Sequence, residues 1–268
     1  MDIFVHILSS RINVLKENIE EILKNVPGNI GLYYKNLNTG ATIEINEEES
    51  YLAASIIKLP ILIETLNQIK DGVIRDDMMI TLMEEDKVPS CGALNYMHNG
   101  IEVTIKDLYT LMIVLSDNTA TNILINKLGI ENINKTMDSL GLKNTIVNRL
   151  LYDEMEQKKG KENYFSPKEI GLLLEQIYNG ELIHEKISEE IQRIMKLQLM
   201  DSKIPYLLPE DTVIAHKTGE AIGITHDVGI IYSKDPFILC FASNKTIVPI
   251  AEDALRKIAL LCYEESII

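Results

Sequence analysis

Little in the sequence ties it to metal, nucleic acid or membrane. Its 268 residues include only three cysteines, Cys91, Cys240 and Cys262, which lie far apart and lack the close pairing that structural zinc sites use. They read as buried free thiols. His6, His98 and His184 are scattered without ligand spacing, so no metal site and no cofactor is expected. Positive charge is also scarce: 26 basic against 40 acidic residues leave a formal charge of -14. A field of that sign repels phosphate backbones and anionic lipids, which argues against nucleic-acid or membrane partners. No apolar run approaches the roughly 18 residues of a membrane span, and no basic segment precedes an apolar stretch and a small-residue cleavage site. As given, the chain reads as soluble, cytoplasmic and monomeric, although a secreted protein numbered from its mature end would read the same. Repeats, low-complexity tracts and Pro/Gly/Ser-rich linkers are lacking too.

What is present is ordinary globular material, 46% hydrophobic and 25% charged, enough for one large domain or two modest ones. From Ile3 to Leu23 apolar residues, including Ile7, Leu8, Ile12, Leu15, Ile19, Ile22 and Leu23, recur every three or four positions, the period of an amphipathic helix. Pro27-Gly28 ends it. Residues 30–37 and 41–45 read as strands joined by a tight hairpin at Asn38-Thr39-Gly40. Helical spacing then dominates near 55–70, 104–115, 118–128, 131–140, 167–179 and 184–200. Residues 212–218, 223–232 and 237–243 read as strands, followed by a terminal helix over about 249–262. The expected fold is α/β (α+β): an antiparallel sheet built from both chain ends and flanked by terminal helices, with an inserted all-α domain. This divides the chain into 1–52 plus 211–268 and 53–210, with the active site expected in the cleft between them. The long irregular stretch over about 148–166 is of a kind more often functional than idle.

Three short motifs carry chemistry-bearing side chains. In Ser55-Ile56-Ile57-Lys58, with Pro60 close behind, the serine belongs at a helix start and the lysine one turn on, on the same face. A neutral lysine amine there can take the hydroxyl proton; a capping serine and a solvated lysine explain the pair equally well. Ser116-Asp117-Asn118 lies between two helices and is also a set of favoured caps. Lys217-Thr218-Gly219 ends a strand, where a turn would suffice. Each occurs once, in this order, 61 and 101 residues apart.

Together they make the chain resemble the class A β-lactamases and the wider penicillin-recognising serine hydrolases, and the order of helices and strands is similar over nearly the whole length. The resemblance implies Ser55 as the nucleophile on a β-lactam or peptide-like amide, with Lys58 as its base. Ser116 would relay a proton to the departing nitrogen, and Asn118 would hold Lys58 and the substrate. Lys217 and Thr218 would meet the substrate carboxylate, and Gly219 would leave room for the substrate beside the strand. The backbone N–H groups of Ser55 and Glu220 would receive the oxyanion. Counted without a gap from Val147 and Arg149, Glu154 falls where the family has its deacylating glutamate, with Asp153 and Glu156 as competitors.

Several positions depart from the family. Lys158 stands where an asparagine follows that glutamate, and the loop reaches Ser166-Pro167 early. No Arg or Lys occurs from Gly219 to Ser233, where many members carry an arginine; His226 is the only replaceable cation, beside Asp227, and the two also read as a structural pair. Glu220 places an acid where a small residue is usual. Ser90-Cys91-Gly92 reads as a loop on the cleft rim, and Met78, Met79, Met83 and Met112 as core filler. The resemblance thus implies a β-lactamase-like hydrolase working through an acyl-enzyme on Ser55. The rivals are an amidase, esterase or D,D-peptidase-like protein that releases β-lactams slowly, or a β-lactam sensor, which the lack of a membrane helix or output domain disfavours.

Overall fold

The computed structural model describes residues 2–268, with side chains from residue 10 onward; the side chains of His6, Ile7 and Leu8 lie outside the described residues. In chain order the strands are β1 (Asn29–Asn36), β2 (Thr42–Ile45), β3 (Tyr51–Leu52), β4 (Met79–Thr81), β5 (Glu102–Thr104), β6 (Tyr164–Phe165), β7 (Val213–Ala221), β8 (Ile224–Tyr232) and β9 (Phe237–Asn244). The helices are α1 (Asp2–Leu23), α2 (Lys58–Lys70), α3 (Ile105–Val114), α4 (Asn118–Leu128), α5 (Ile130–Ser139), α6 (Glu154–Lys158), α7 (Pro167–Asn179), α8 (Glu185–Met195) and α9 (Val248–Ser266). Residues 1–51, 166–175 and 201–268 form one compact unit, and 52–165 with 176–200 the other.

The first unit is a five-stranded antiparallel sheet in the order β2-β1-β9-β8-β7. The pairing of β1 with β9 joins the two ends of the chain. The β1–β2 turn forms where expected, with the Asn36 carboxamide oxygen accepting the N–H groups of Asn38 and Thr39. Alternation along β1 sends Tyr34 and Leu32 into a core with Phe237, Leu239 and Phe241 of β9. Leu15 and Ile19 of α1 and Leu255, Ile258 and Cys262 of α9 complete that core, so the terminal helices close one face of the sheet. Gly171 on α7 lies against the Tyr33 ring, where a β-carbon would come within 2.2 Å of Cδ1.

The second unit is mostly helical. Residues Lys58 to Leu66 of α2 are all buried, the pattern of a helix surrounded on every side; α3, α4, α5 and α8 pack on it. Pro60 sits in its first turn, where the missing N–H costs nothing. Thr104 and Asp107 open α3 with reciprocal side-chain caps. Two sequence expectations fail here. Of the four methionines read as core, only Met112 is buried, because Met79 lies on β4, which pairs only with β5 in a two-stranded ribbon, and Met83 lies just beyond it. The helix expected over 184–200 stops at Met195, after which Leu199 N–H bonds the Val114 carbonyl and the Gln198 side chain bonds that of Ile113.

Gly171→Ala should destabilise the protein by about 1–3 kcal/mol through overpacking against Tyr33, read as a lowered Tm in thermal unfolding; an unchanged Tm would show that the ring yields freely.

Candidate active site

Ser55 lies in a short 3-10 turn, Ala54–Ile57, that runs directly into α2. Ala54 just before it holds a left-handed φ of 43°, an arrangement that costs a non-glycine residue about 1–3 kcal/mol and is concentrated at functional positions. One turn later Lys58 is fully buried. Its Nζ lies 3.0 Å from Ser55 Oγ, 3.0 Å from Ser116 Oγ, 2.6 Å from the Ser116 carbonyl and 2.9 Å from Asn118 Oδ1. The Ser116 carbonyl and Asn118 Oδ1 can only accept, whereas the two hydroxyls can donate or accept. In a neutral amine the two N–H groups serve the first pair, and the lone pair can accept the Ser55 hydroxyl proton.

Ser116 and Asn118 reach Lys58 because the link between α3 and α4 is sharply folded. Ser116 has φ 53°, and the Asp117 N–H bonds back to the Leu111 carbonyl. Asp117 caps α4 through Oδ1 to Ala120 N–H, while its Oδ2 accepts the N–H groups of Ala93 and Leu94. Gly92 packs on this carboxylate, with its φ at +115° and a β-carbon position only 2.3 Å from Asp117 Cγ. Asn118 donates Nδ2 to the Pro89 carbonyl and its N–H to that of Cys91. The Pro89–Gly92 loop is thus stitched to the residues that hold Lys58.

The structure does not bring Glu154 to this group. Asp153 accepts the Glu156 N–H and starts α6, which turns Glu154 outward: its side chain is 79% exposed and pairs with Lys158 at 3.5 Å. Glu156 bonds Lys159 and Lys161, whose ammonium groups hold its carboxyl down at about 2. Counting along the loop misplaced the glutamate because the count took no account of the helix that Asp153 begins. The loop is nevertheless built with care. Arg149 pairs with Glu162 at 2.6 Å, Asn163 Oδ1 accepts from the N–H groups of Asn148 and Arg149, and both backbone groups of Leu151 are held by the Asn122 carboxamide.

In the sheet unit, β7 carries Lys217, Thr218, Gly219 and Glu220; the first two are buried, and Lys217 Nζ donates to the Thr218 carbonyl at 2.9 Å. Alternation along the strand turns His216 to the opposite side from Lys217. His216 Nδ1 meets Asp227 Oδ1 at 3.0 Å, and Gly229, its register partner, has no room for a β-carbon against it. The partner of Asp227 is therefore His216, not the neighbouring His226, because adjacent strand residues face opposite ways; His226 Nδ1 instead accepts the Ser243 N–H. A cation near the end of β7 does exist. It is Lys203, buried, with Nζ 3.1 Å from the Glu220 carboxylate. It escaped sequence reasoning because it stands outside every motif, well before the strand it serves. Among the residues whose side chains are described, no group of His, Cys, Asp and Glu is placed to hold a metal.

An antiparallel sheet closed by the terminal helices, a helical unit and a half-buried serine beside a buried lysine define the architecture of the β-lactamases and penicillin-binding proteins. The model of the β-lactamase enzyme family matches residues 14–266, and the chain belongs to that family. It is 26% identical to β-lactamase VEB-1 of Pseudomonas aeruginosa over 80% of this chain and 76% of the relative. It is also 26% identical to a β-lactamase of Phocaeicola vulgatus, over 87% and 74%. Among solved structures, PBP-A is similar with a TM-score of 0.84 at 27% identity, covering 93% of this chain and 94% of that one. A variant of PBP-A, described as an acyl-enzyme complex with penicillin G, gives 0.83 at 26%, over 96% of both chains.

The carboxyl of Glu156, lowered from 4.5 to about 2, contributes to folding above the ordinary carboxylate range and loses that contribution as pH falls through its lowered value. A carboxyl NMR titration should place its midpoint near that value, and Lys159→Ala with Lys161→Ala should move it upward. An ordinary midpoint in the parent protein would show that the clamp does not form.

Proposed function

We propose that the chain is a serine hydrolase of β-lactamase type, in which Ser55 opens a β-lactam or related peptide-like amide and becomes acylated. The observation that carries this reading is the fully buried Lys58, 3.0 Å from both Ser55 Oγ and Ser116 Oγ. As the amine, Lys58 takes the Ser55 proton while its N–H groups stay on the oxygens of Ser116 and Asn118. Oγ forms the bond to the carbonyl carbon, the amide C–N bond breaks, and Ser116 passes a proton from Lys58 to the departing nitrogen. The family resemblance assigns the oxyanion to the backbone N–H groups of Ser55 and Glu220, a role in which one donor is worth about 10² to 10³ in rate. It likewise assigns the substrate carboxylate to Lys217 and Thr218, with Gly219 leaving the strand unobstructed. The penicillin G acyl-enzyme of the PBP-A variant supports the acylation step by similarity.

The positions of the acids favour slow release. Hydrolysis of the acyl group needs a base near its ester, and loss of a general base costs about 10² to 10⁴ in rate. Glu154 is exposed beside Lys158, Asp153 caps α6 and Glu156 is held by two lysines. This aligns the chain with proteins that are acylated by β-lactams and turn them over slowly.

Intact mass after incubation with penicillin should show one adduct on the parent and none on a folded Ser55→Ala protein; labelling that survives the substitution would overturn the nucleophile. A second outcome concerns release. The adduct of the parent should persist, and Glu154→Gln should leave its lifetime unchanged. An adduct that is transient in the parent but lasting in Glu154→Gln would restore that residue as the base.

A further inference from the structure

Lys203 enters the turn Ile204–Leu207 and belongs to no motif. Its side chain is fully buried, and Nζ faces three oxygens: the Gly219 carbonyl at 3.2 Å, the His226 carbonyl at 3.1 Å and Glu220 Oε1 at 3.1 Å. Three N–H groups meet three acceptors. Asp227 Oδ2 accepts the N–H of Ile204 at 3.0 Å and so anchors the segment that delivers the lysine.

Gly219 and His226 are register partners on β7 and β8. A carbonyl that shares one donor with the carbonyl of its partner is directed toward the partner strand, and the N–H at the other end of the same planar peptide points the opposite way. That N–H belongs to Glu220. Because β7 is the outer strand of the sheet, the Glu220 N–H points away from β8. A cation on the carbonyl end polarises the peptide and strengthens its N–H as a donor. The same ammonium neutralises the Glu220 carboxylate, whose charge would otherwise oppose an anion at that N–H.

We infer that Lys203 is a positioning residue for the oxyanion donor: it aims and polarises the Gly219–Glu220 peptide and cancels the charge of the Glu220 side chain. The inference rests on the acyl-enzyme reading above. It also gives the acid after Lys217-Thr218-Gly219 a compensating partner.

The test compares the parent with Lys203→Met and Lys203→Arg. In Lys203→Met the rate constant for acylation of Ser55 by penicillin should fall roughly tenfold, less than the loss of a whole oxyanion donor, while the dissociation constant for the preceding noncovalent complex holds. The amide proton of Glu220 should move upfield in the NMR spectrum, and Lys203→Arg should recover both signals in part. If Lys203→Met does not fold, Lys203→Gln takes its place in the comparison. A folded variant with the Glu220 amide unmoved, or with the loss confined to noncovalent binding, overturns the inference. If the parent is never acylated at Ser55, the functional reading fails instead, and the Glu220 resonance still decides whether Lys203 acts on that peptide.

Discussion

A buried lysine must be given oxygens or lose its charge, and Lys58 imposes that constraint on two separate stretches of chain. Lys58 opens α2, a helix buried along most of its length, so its ammonium or amine tip must find polar partners away from solvent. The tip needs Ser55 from the preceding turn and Ser116 and Asn118 from the link between α3 and α4. The left-handed backbone at Ala54 and Ser116 is what brings those oxygens inward. Isolated burial of an ammonium costs several kcal/mol; here oxygens from the turn and the link converge on the nitrogen, so the residues that make its burial tolerable are the ones to which the proposed chemistry falls.

The sheet unit solves a similar problem with different means. Lys203 is as deeply buried as Lys58, but two of its three acceptors are backbone carbonyls. Around it, Asp227 joins His216 on β7 to the segment entering the turn. Polar groups under the end of β7 thereby fix a strand that has a neighbour on one side only. An outer strand held this way keeps its form without further pairing.

Much of this was legible in the sequence wherever the signal was local. The Ser55 and Lys58 spacing gave one helical turn and the structure returns 3.0 Å between their polar atoms; β-prone segments at both ends indicated the sheet that β1 and β9 close. Long-range partners with no residue signature were not legible. Lys203 bonds carbonyls 16 and 23 residues away, and a carbonyl is the same on every residue. Glu154 failed for a different reason: position along a loop says nothing of direction once a cap such as Asp153 starts a helix there. The pairing of Asp227 with His216 over His226 follows from strand alternation, which a count of neighbours ignores.

The Asp117 carboxylate has a wider consequence. It accepts N–H groups from Ala93, Leu94 and Ala120, so the segment after Gly92 and the first turn of α4 share one fastener. Beside it, the Asn118 amide hangs from Pro89 and Cys91 while its oxygen holds Lys58. In evolutionary terms the Pro89–Gly92 loop is not a free dial. A change that moves its backbone also tugs on the residue that holds Lys58, so substitutions there must leave the fastener in place, and the loop should drift more slowly than the exposure of Pro89 and Ser90 would suggest.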